Sequence, residues 1–218
     1  MLSYTEENYL KTIYHLSENG SKEVTTNGIA DAVSTKPASV SDMLKKLAQK
    51  SLIDYIKYQG VTLTDEGRVK ALKIIRKHRL WEVFLVNKLS FNWDEVHDVA
   101  EELEHIKSPL LIKRLDEFLG FPQFDPHGDP IPTEDGIINH KRSVPLHQME
   151  IGMAGRVVGL NETASSFLQF LDKIGVYIGV KIKVLDKSSF DNSVEIEIDQ
   201  LSKMMISNEV AKNLNISE

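Results

Sequence analysis

Two short helical segments separated by a break restrict the fold of this chain more than any other feature. The stretch "TNGIADAV" predicts a helix around Asn27 to Val33, and after the break "STKP" a longer helix runs from about Ala38 to Lys50. Pro37 suits the first turn of the second helix, where an amide hydrogen has no intrahelical partner in any case. Two helices joined by so short a turn predict a helix-turn-helix.

The segments on either side extend this prediction. "SYTEENYLKTIYHLSENG" opens with Ser3 and Glu6 in capping-box spacing and carries apolar residues at helical intervals. "LIDYIKYQGVTLTDEG" alternates like two short strands, Leu52 to Lys57 and Val61 to Thr64, around a Gln-Gly turn. Helices followed by a hairpin in this order predict a winged helix-turn-helix.

Charge is unevenly distributed along the chain, although the formal net charge is −6. Residues 36–80 carry 11 Lys and Arg against 4 Asp and Glu, whereas residues 81–218 carry 13 against 23. The basic segment coincides with most of the predicted helix-turn-helix, which favours phosphate binding and hence DNA. A small helical domain with lysines on a solvated surface is the alternative.

The beginning of the second helix is the predicted DNA-reading surface. Small polar side chains near that end can approach base edges in a major groove, and the lysines that follow can contact phosphates. The predicted DNA-binding residues are Thr35, Lys36, Pro37, Ala38, Ser39, Ser41, Asp42, Lys45 and Lys46. Lys50 and Lys57 are further candidates for phosphate contacts.

A second feature is the stretch "EVHDVAEELEHI", residues 95–106, which holds two histidines and five carboxylates. On a continuous helix, His97, Glu101, Glu104 and His105 fall within an arc of roughly 100° and share one face. This pattern fits either a solvated acidic helix face, the commoner case for a Glu-rich helix, or a metal site. The chain has no cysteine, so any metal is held by nitrogen and oxygen ligands.

A long amphipathic helix is predicted from Asp65 to about Phe91, and it carries His78 and Glu82 four residues apart. Side chains at this spacing lie on one helix face, so the two can bind one cation together. A buried structural His78 is the alternative.

Several protein classes are disfavoured. No run of 18 or more apolar residues occurs and the N-terminus lacks the pattern of a signal peptide, so we expect a cytoplasmic protein without a membrane partner. No HExxH, P-loop, Gly-rich dinucleotide motif or nucleophile elbow appears, so we do not expect an enzyme. A two-metal dimeric hydrolase with Glu101 or Glu104 as base, and a metal-binding protein without a regulatory role, are the alternatives.

The chain closely resembles the diphtheria toxin repressor family, the metal-activated transcriptional repressors that include the manganese transport regulators. The motifs that carry the resemblance occur in register, and they are "TEENYLKTIY", "KPASVSDMLKKL", "LTDEGRVKA", "RKHRLWE", "VHDVAEELEHIKS" and "DPHGDPIP". They cover at least residues 1–135, and the remainder fits the third domain of the family.

The resemblance implies a mainly α fold with a small β domain. The implied domains are a winged helix-turn-helix over residues 1–70, a helical dimerisation and metal-binding domain over 71–140, and an SH3-like (FeoA-like) barrel over 148–218. In the last domain "AGRVVGL", "KIKVLD" and "VEIEID" predict strands, and "SSFLQFLDKIG" predicts an intervening helix. The Pro-rich residues 121–132 and the segment 141–147 are predicted connections.

The family's functional residues are implied at matching positions. A primary effector site falls on Asn8, Glu101, Glu104 and His105, a second site falls on His78, Glu82 and His97, and the third domain contributes Glu162. Glu101 stands where iron-responsive members have cysteine. Asn8 stands where the family usually has Asp or Met, and its neutral amide oxygen is a poorer ligand for a hard cation.

The implied function follows from these sites. We expect a homodimeric, metal-activated repressor that binds a double-stranded DNA operator and controls manganese or iron uptake genes. Mn²⁺ is the favoured corepressor and Fe²⁺ is the alternative.

Overall fold

The N-terminal part of the chain has the predicted helices and hairpin. The computed structural model describes residues 2–18, 20, 22–56, 60–139 and 142–217. The first elements are α1 (Tyr4–Leu16), α2 (Thr26–Ala32), α3 (Pro37–Gln49) and an antiparallel pair of strands, β1 (Ile53–Ile56) and β2 (Gly60–Leu63). Lys57 and Gln59 of the predicted wing lie outside the described residues, as does Lys141.

Local sequence signals explain where these helices begin. The Ser3 hydroxyl accepts from the backbone N–H of Glu6 while the Glu6 carboxylate accepts from the N–H of Ser3, which is the predicted capping box. The Thr25 hydroxyl caps α2 by accepting from the backbone N–H of Gly28, and Pro37 occupies the first turn of α3. Their apolar faces meet in one core with Leu10, Ile29, Leu44, Leu47 and Val61 among its members. The winged helix-turn-helix fold is confirmed.

Three further helices follow in the described residues: α4 (Asp65–Leu89), α5 (Val96–Leu103) and α6 (Pro109–Phe118). Gly67, at the start of α4, is required by packing, because a Cβ there would lie 1.8 Å from the carbonyl oxygen of Leu52. The prediction of a continuous helix over residues 95–106 is wrong, since α5 ends at Leu103. Glu104 and His105 lie in a turn in which the N–H of Ile106 donates to the carbonyl of Leu103 at 3.1 Å.

The C-terminal part is an antiparallel sheet with short helices. Its strands are β3 (Val144–Pro145), β4 (Ala154–Leu160), β5 (Lys181–Lys187), β6 (Val194–Ile198), β7 (Ser202–Ile206) and β8 (Leu214–Ser217), paired in the order β3-β8-β4-β5-β6-β7. The helices are α7 (Ser165–Ile174) and α8 (Asn208–Lys212). The predicted β4, β5, β6 and α7 are confirmed, and α7 ends at Gly175 in the left-handed conformation that glycine adopts readily.

The described chain divides into two compact units, each of which is made of three separate stretches of sequence. Unit 1 comprises Met1–His78, Glu101–Lys113 and Pro132–Ile138, and unit 2 comprises Arg79–Ala100, Arg114–Ile131 and Asn139–Glu218. The core of unit 2 contains Leu146, Val157, Leu171, Ile182 and Ile196. The three-domain division over 1–70, 71–140 and 148–218 stays a prediction. Within the part of the chain that is described, no helix is both long enough and apolar enough to span a membrane.

Candidate metal centre

Unit 1 contains a group of buried and half-buried charged and polar side chains, which we call the first cluster: Glu7, Asn8, Lys11, His78, Glu101, Glu104 and His105. Glu7, Asn8 and Lys11 lie on one side of α1, because residues three and four apart are neighbours on a helix surface. The turn after Leu103 directs Glu104 and His105 towards these α1 side chains.

Glu104 is the centre of the first cluster and has no exposed surface. Its Oε2 lies 2.7 Å from Nδ1 of His78 and accepts from Nζ of Lys11 at 2.8 Å. Burial raises the pKa of Glu104, but the His78 hydrogen bond and the Lys11 charge outweigh burial, so the pKa lies below its usual value. Glu104 is therefore a carboxylate at neutral pH, as a metal ligand must be.

His105 is oriented by a second carboxylate. Its Nδ1 lies 2.6 Å from Oε2 of Glu7, and its ring packs against Tyr4 with the ring centres 3.8 Å apart. A neutral imidazole that donates from Nδ1 keeps a lone pair on Nε2. That Nε2 lies 3.6 Å from Oε1 of Glu104. A histidine held by a carboxylate in this way is the usual arrangement of a metal-ligating imidazole.

Three buried side-chain atoms of the first cluster lack a hydrogen-bond partner among the described residues: Nε2 of His105, Oδ1 of Asn8 and Oε1 of Glu104, the last of which lies 2.7 Å from the ammonium of Lys11. A buried polar atom left unpaired costs about 1 to 3 kcal/mol, so such atoms indicate a missing ligand or water. Imidazole nitrogen, carboxylate oxygen and amide oxygen together suit Mn²⁺ or Fe²⁺, so the residues present fit a divalent cation.

Unit 2 contains another group, which we call the second cluster: Glu82, Asp125 and His127. All three are buried, and one ligand atom from each lies within 4.8 Å of the others. Nε2 of His127 lies 2.8 Å from the carbonyl oxygen of Trp93, and the two rings are stacked. Donation from Nε2 to this carbonyl leaves a lone pair on Nδ1, which lies 3.9 Å from Oε2 of Glu82. The second cluster therefore also presents an imidazole nitrogen and two carboxylates.

The electrostatics of the second cluster indicate a deficit of positive charge. Burial raises the pKa of Asp125 well above its usual value, and the charges of Asp129 and Glu82 raise it further, whereas Arg79 lowers it. Oδ1 of Asp125 accepts from the backbone N–H groups of His127 and Asp129, each at 2.9 Å. Nε of Arg79 lies 3.4 Å from Oδ2. A bound cation would offset the repulsion between these buried carboxylates.

The second site predicted on His78, Glu82 and His97 stays a prediction. His78 contacts Glu104 within unit 1, whereas Glu82 and His97 belong to unit 2. His97 has a side chain 62% exposed, and its Nδ1 lies 3.8 Å from Oε1 of Glu82. Glu162 belongs to neither cluster: its Oε1 accepts from the N–H groups of Thr163 and Ala164 at the start of α7. A role for His97 or Glu162 in metal binding stays a prediction.

Sequence reasoning missed four residues of the two clusters: Glu7, Lys11, Asp125 and His127. A signal for two of them was present, because "DPHGDPIP" places an acid and a histidine two residues apart in a Pro- and Gly-rich segment. In the sequence that stretch carries part of the family resemblance and predicts a connection, but it does not by itself predict ligands.

The predicted DNA-reading surface is accessible. The predicted residues from Thr35 to Ser39, together with Asp42, Lys45 and Lys46, are exposed, and Ser41 is half-buried. Nζ of Lys45 lies 3.0 Å from Oδ1 of Asp42. Lys50 differs from its neighbours because its ammonium lies 2.7 Å from the largely buried carboxylate of Glu6, which leaves it poorly placed for a phosphate.

Comparisons with families agree with this architecture. The profile of the iron dependent repressor N-terminal DNA binding domain matches residues 1–61. The profile of the iron dependent repressor metal binding and dimerisation domain matches residues 64–133, and that of the FeoA domain matches residues 144–218.

Individual proteins show the same similarity. The chain is 35% identical over 128 residues to the iron-dependent repressor IdeR of Mycobacterium tuberculosis, covering 59% of this chain and 55% of that protein. It is 30% identical over 194 residues to the diphtheria toxin repressor of Corynebacterium glutamicum, covering 84% of each. Some curated relatives are longer, and the chain spans 30% to 55% of their length.

Solved structures extend the similarity to the whole fold. A manganese-dependent transcriptional repressor in complex with manganese superimposes with a TM-score of 0.85 at 36% identity, covering 97% of this chain and 98% of that chain. The similarity thus includes the C-terminal sheet as well as the helical parts.

Proposed function

The chain belongs to the diphtheria toxin repressor family of metal-dependent transcriptional regulators, and we propose that it is a metal-activated, DNA-binding repressor with Mn²⁺ or Fe²⁺ as corepressor. The observation that carries this proposal is the first cluster, because α1 of the DNA-binding fold meets Glu104 and His105 there. The unpaired atoms Nε2 of His105 and Oδ1 of Asn8 support a cation at this point.

The proposed ligands of the first cluster are Asn8, Glu101, Glu104 and His105. A divalent cation held by these residues would supply positive charge shared between α1 and the turn at Glu104. No catalysis is required. Glu7 orients the imidazole of His105, and His78 holds the carboxylate of Glu104. Metal and DNA are coupled if both favour the same position of α1, and such coupling is reciprocal.

The second cluster is proposed as a further cation site. Glu82, Asp125 and His127 are its ligands, because they converge and their charge is not balanced by Arg79 alone. His97 and Glu162 are proposed as additional ligands on the strength of the family resemblance.

The proposed DNA partner is an operator with two half-sites. Because the family profile over residues 64–133 is that of a dimerisation domain, we propose a homodimer that presents two copies of α3. In a twofold dimer the recognition helices fit half-sites about one helical turn apart. Regulation of manganese or iron uptake genes is proposed from the family alone.

Family membership decides against the hydrolase alternative, since the relatives are repressors and regulators. In a metal-binding protein without a regulatory role the basic head is merely solvated, so DNA binding that strengthens with metal would exclude this alternative. Manganese is favoured over iron because Glu101 supplies a hard carboxylate oxygen at the position where the family resemblance places a softer cysteine thiolate in iron-responsive members.

DNA binding to the upstream region of the protein's own gene, titrated with Mn²⁺, Fe²⁺, Zn²⁺ and a chelator, tests the proposal. We expect binding that strengthens with Mn²⁺ or Fe²⁺ and is reversed by the chelator. Glu104→Gln is the matched variant, since it keeps the side-chain shape but removes the charge, and it should bind neither metal nor DNA strongly. Affinity for DNA that does not change with metal would contradict the proposal.

A further inference from the structure

The ammonium of Lys11 occupies the point where two carboxylates of the first cluster, those of Glu101 and Glu104, converge. Nζ lies 2.7 Å from Oε1 and 2.8 Å from Oε2 of Glu104, so it contacts both oxygens of one carboxylate. Nζ also donates to Oε1 of Glu101. Lys11 itself is only 9% exposed, so these contacts are made largely out of water.

This placement is that of a cation held by two anionic ligands. A group that faces both oxygens of a carboxylate and one oxygen of another lies where a bidentate and a monodentate ligand direct their lone pairs. The ammonium also comes from the same side of α1 as Asn8, three residues earlier. The ammonium of Lys11 therefore lies in the same small space on which the proposed ligand atoms converge.

We infer that Lys11 is a tethered competing cation, which neutralises the effector site in the metal-free protein and must give up Glu101 and Glu104 before a divalent ion binds there. The inference depends on the proposed function, because it takes these two carboxylates as metal ligands. Its consequence is that Lys11 sets the metal concentration at which the repressor responds. Metal binding at the first cluster is then an exchange of the Lys11 ammonium for a divalent ion, and not the filling of an empty site.

The electrostatic argument supports such an exchange. Without Lys11, the carboxylates of Glu101 and Glu104 face each other in a largely buried setting, and like charges at short range repel strongly. Removal of the ammonium should thus destabilise the metal-free protein and favour any other cation that can take its place. If Lys11 had a purely structural role, the metal would bind beside it, and removal of the lysine would not increase the affinity for the metal.

Lys77 offers a matched control. Lys77 is half-buried. Burial lowers its pKa, and the nearby negative charges of Glu7 and Glu104 raise the pKa by less than burial lowers it. Within the described residues it has no hydrogen bond to either carboxylate. A Lys77→Met variant therefore removes nearby positive charge without vacating the point between Glu101 and Glu104.

The test is a Mn²⁺ titration of chelator-stripped protein by calorimetry, performed on wild type, Lys11→Met and Lys77→Met. A His127→Ala background removes heat from the second cluster. We expect Lys11→Met to bind Mn²⁺ at the first cluster at least about tenfold more tightly, and Lys77→Met to change by less than about threefold. The unfolding midpoint in chelator should fall for Lys11→Met, and its gain on adding Mn²⁺ should exceed that of wild type.

A second measurement uses the unaltered side chain and so avoids the risk that Lys11→Met folds poorly. Nitrogen NMR of lysine-labelled wild type should show an Nζ resonance of Lys11 protected from exchange in chelator. One equivalent of diamagnetic Zn²⁺ at the first cluster should abolish that protection. Persistence of the protected resonance at saturating Zn²⁺, or unchanged Mn²⁺ affinity in a folded Lys11→Met, would overturn the inference.

The outcomes separate this inference from the proposed function. If Glu104→Gln binds Mn²⁺ as tightly as wild type, the first cluster is not the effector site and the proposed function fails with it. If Glu104→Gln loses binding while Lys11→Met matches wild type, the effector site stands and only the competing role of Lys11 is overturned.

Discussion

Nδ1 of His105 lies 2.6 Å from Oε2 of Glu7, so a residue of α1 fixes the ring of a residue in the turn after α5. This contact orients the buried Nε2 towards Glu104 and raises its basicity as a ligand. Glu7 thus belongs to the proposed effector site without being one of its proposed ligands.

Glu7→Ala should weaken Mn²⁺ binding by about 10- to 100-fold, the usual effect of removing a carboxylate that supports a ligating histidine. Glu7→Gln should have a smaller effect, because its amide oxygen still accepts from Nδ1 but carries no charge. Glu18→Ala is the control, since Glu18 is an exposed acid just beyond the end of α1. Calorimetric titration measures the change, and equal affinities for Glu7→Ala and Glu18→Ala would contradict the positioning role.

The exposed lysines of α3 should contribute to DNA affinity without contributing to sequence choice. Lys45→Ala combined with Lys46→Ala should weaken binding to all DNA and reduce the salt dependence, because fewer counterions are released. Ser39→Ala should instead alter sequence preference. Lys50→Ala is the control, since its ammonium pairs with Glu6. Unchanged affinity and salt slope in the double variant, measured by fluorescence anisotropy, would exclude α3 as the recognition helix.

The fold was largely predictable from sequence because its signals are local. Ser3 with Glu6, the break before Pro37 and Gly175 mark helix boundaries through backbone hydrogen bonds and allowed dihedral angles, which depend on neighbours in sequence. The end of α5 at Leu103 was not predictable in this way, because the apolar pattern continues to Ile106. The charged contacts of Glu104 with α1 and His78 compete with helix continuation there.

The proposed ligands of the first cluster follow from the family resemblance, whereas the contacts among them could not be predicted from the sequence. Lys11 and Glu101 are separated by 90 residues, and no spacing rule relates residues so far apart in sequence. The second cluster illustrates the same limit, since Glu82 lies on α4 while Asp125 and His127 lie in an irregular segment. Periodicity finds faces of helices, but it does not identify residues that a loop brings to them.

The second cluster should bind a second divalent ion per protomer. His127→Ala should remove this ion, because its Nδ1 faces the buried carboxylates and its other nitrogen is engaged by Trp93. His97→Ala should weaken it less, since the His97 side chain is largely exposed and 3.8 Å from Glu82. Metal content after equilibrium dialysis measures both. Loss of the second ion from His97→Ala but not from His127→Ala would reverse the assignment.

The metal-free protein should show a pH dependence that originates at Asp125. Burial and the neighbouring Asp129 and Glu82 raise its folded pKa well above the unfolded value of about 3.9. The folded chain then holds this proton more tightly than the unfolded chain, so the free energy of unfolding falls as pH rises from the unfolded towards the folded pKa. Asp125→Asn should flatten this fall in urea unfolding experiments with chelator present, whereas Asp98→Asn, which alters an exposed acid, should preserve it. An identical pH slope in wild type and Asp125→Asn would contradict the assignment.

Substitutions of Asn8 should separate metal binding from metal signalling. Its Oδ1 is buried and unpaired among the described residues, and it is the proposed ligand that α1 contributes to the first cluster. Truncation of Glu104 or His105 should abolish effector binding, because both belong to the turn that holds the cation. Asn8→Ala should lower metal affinity only modestly, since water can take the place of one neutral oxygen.

The response to metal should decrease more than the affinity does in Asn8→Ala, because an ion that no longer contacts α1 loses preference for the DNA-competent conformer. Asn8→Asp should act in the opposite direction: a carboxylate suits Mn²⁺ better than an amide, so metal binding should tighten and the metal concentration for DNA binding should fall. Calorimetry and DNA-binding curves on the three proteins provide both quantities. Identical activation of wild type, Asn8→Ala and Asn8→Asp by metal would show that Asn8 is not the link, and that the DNA-binding head is coupled to the effector by another route.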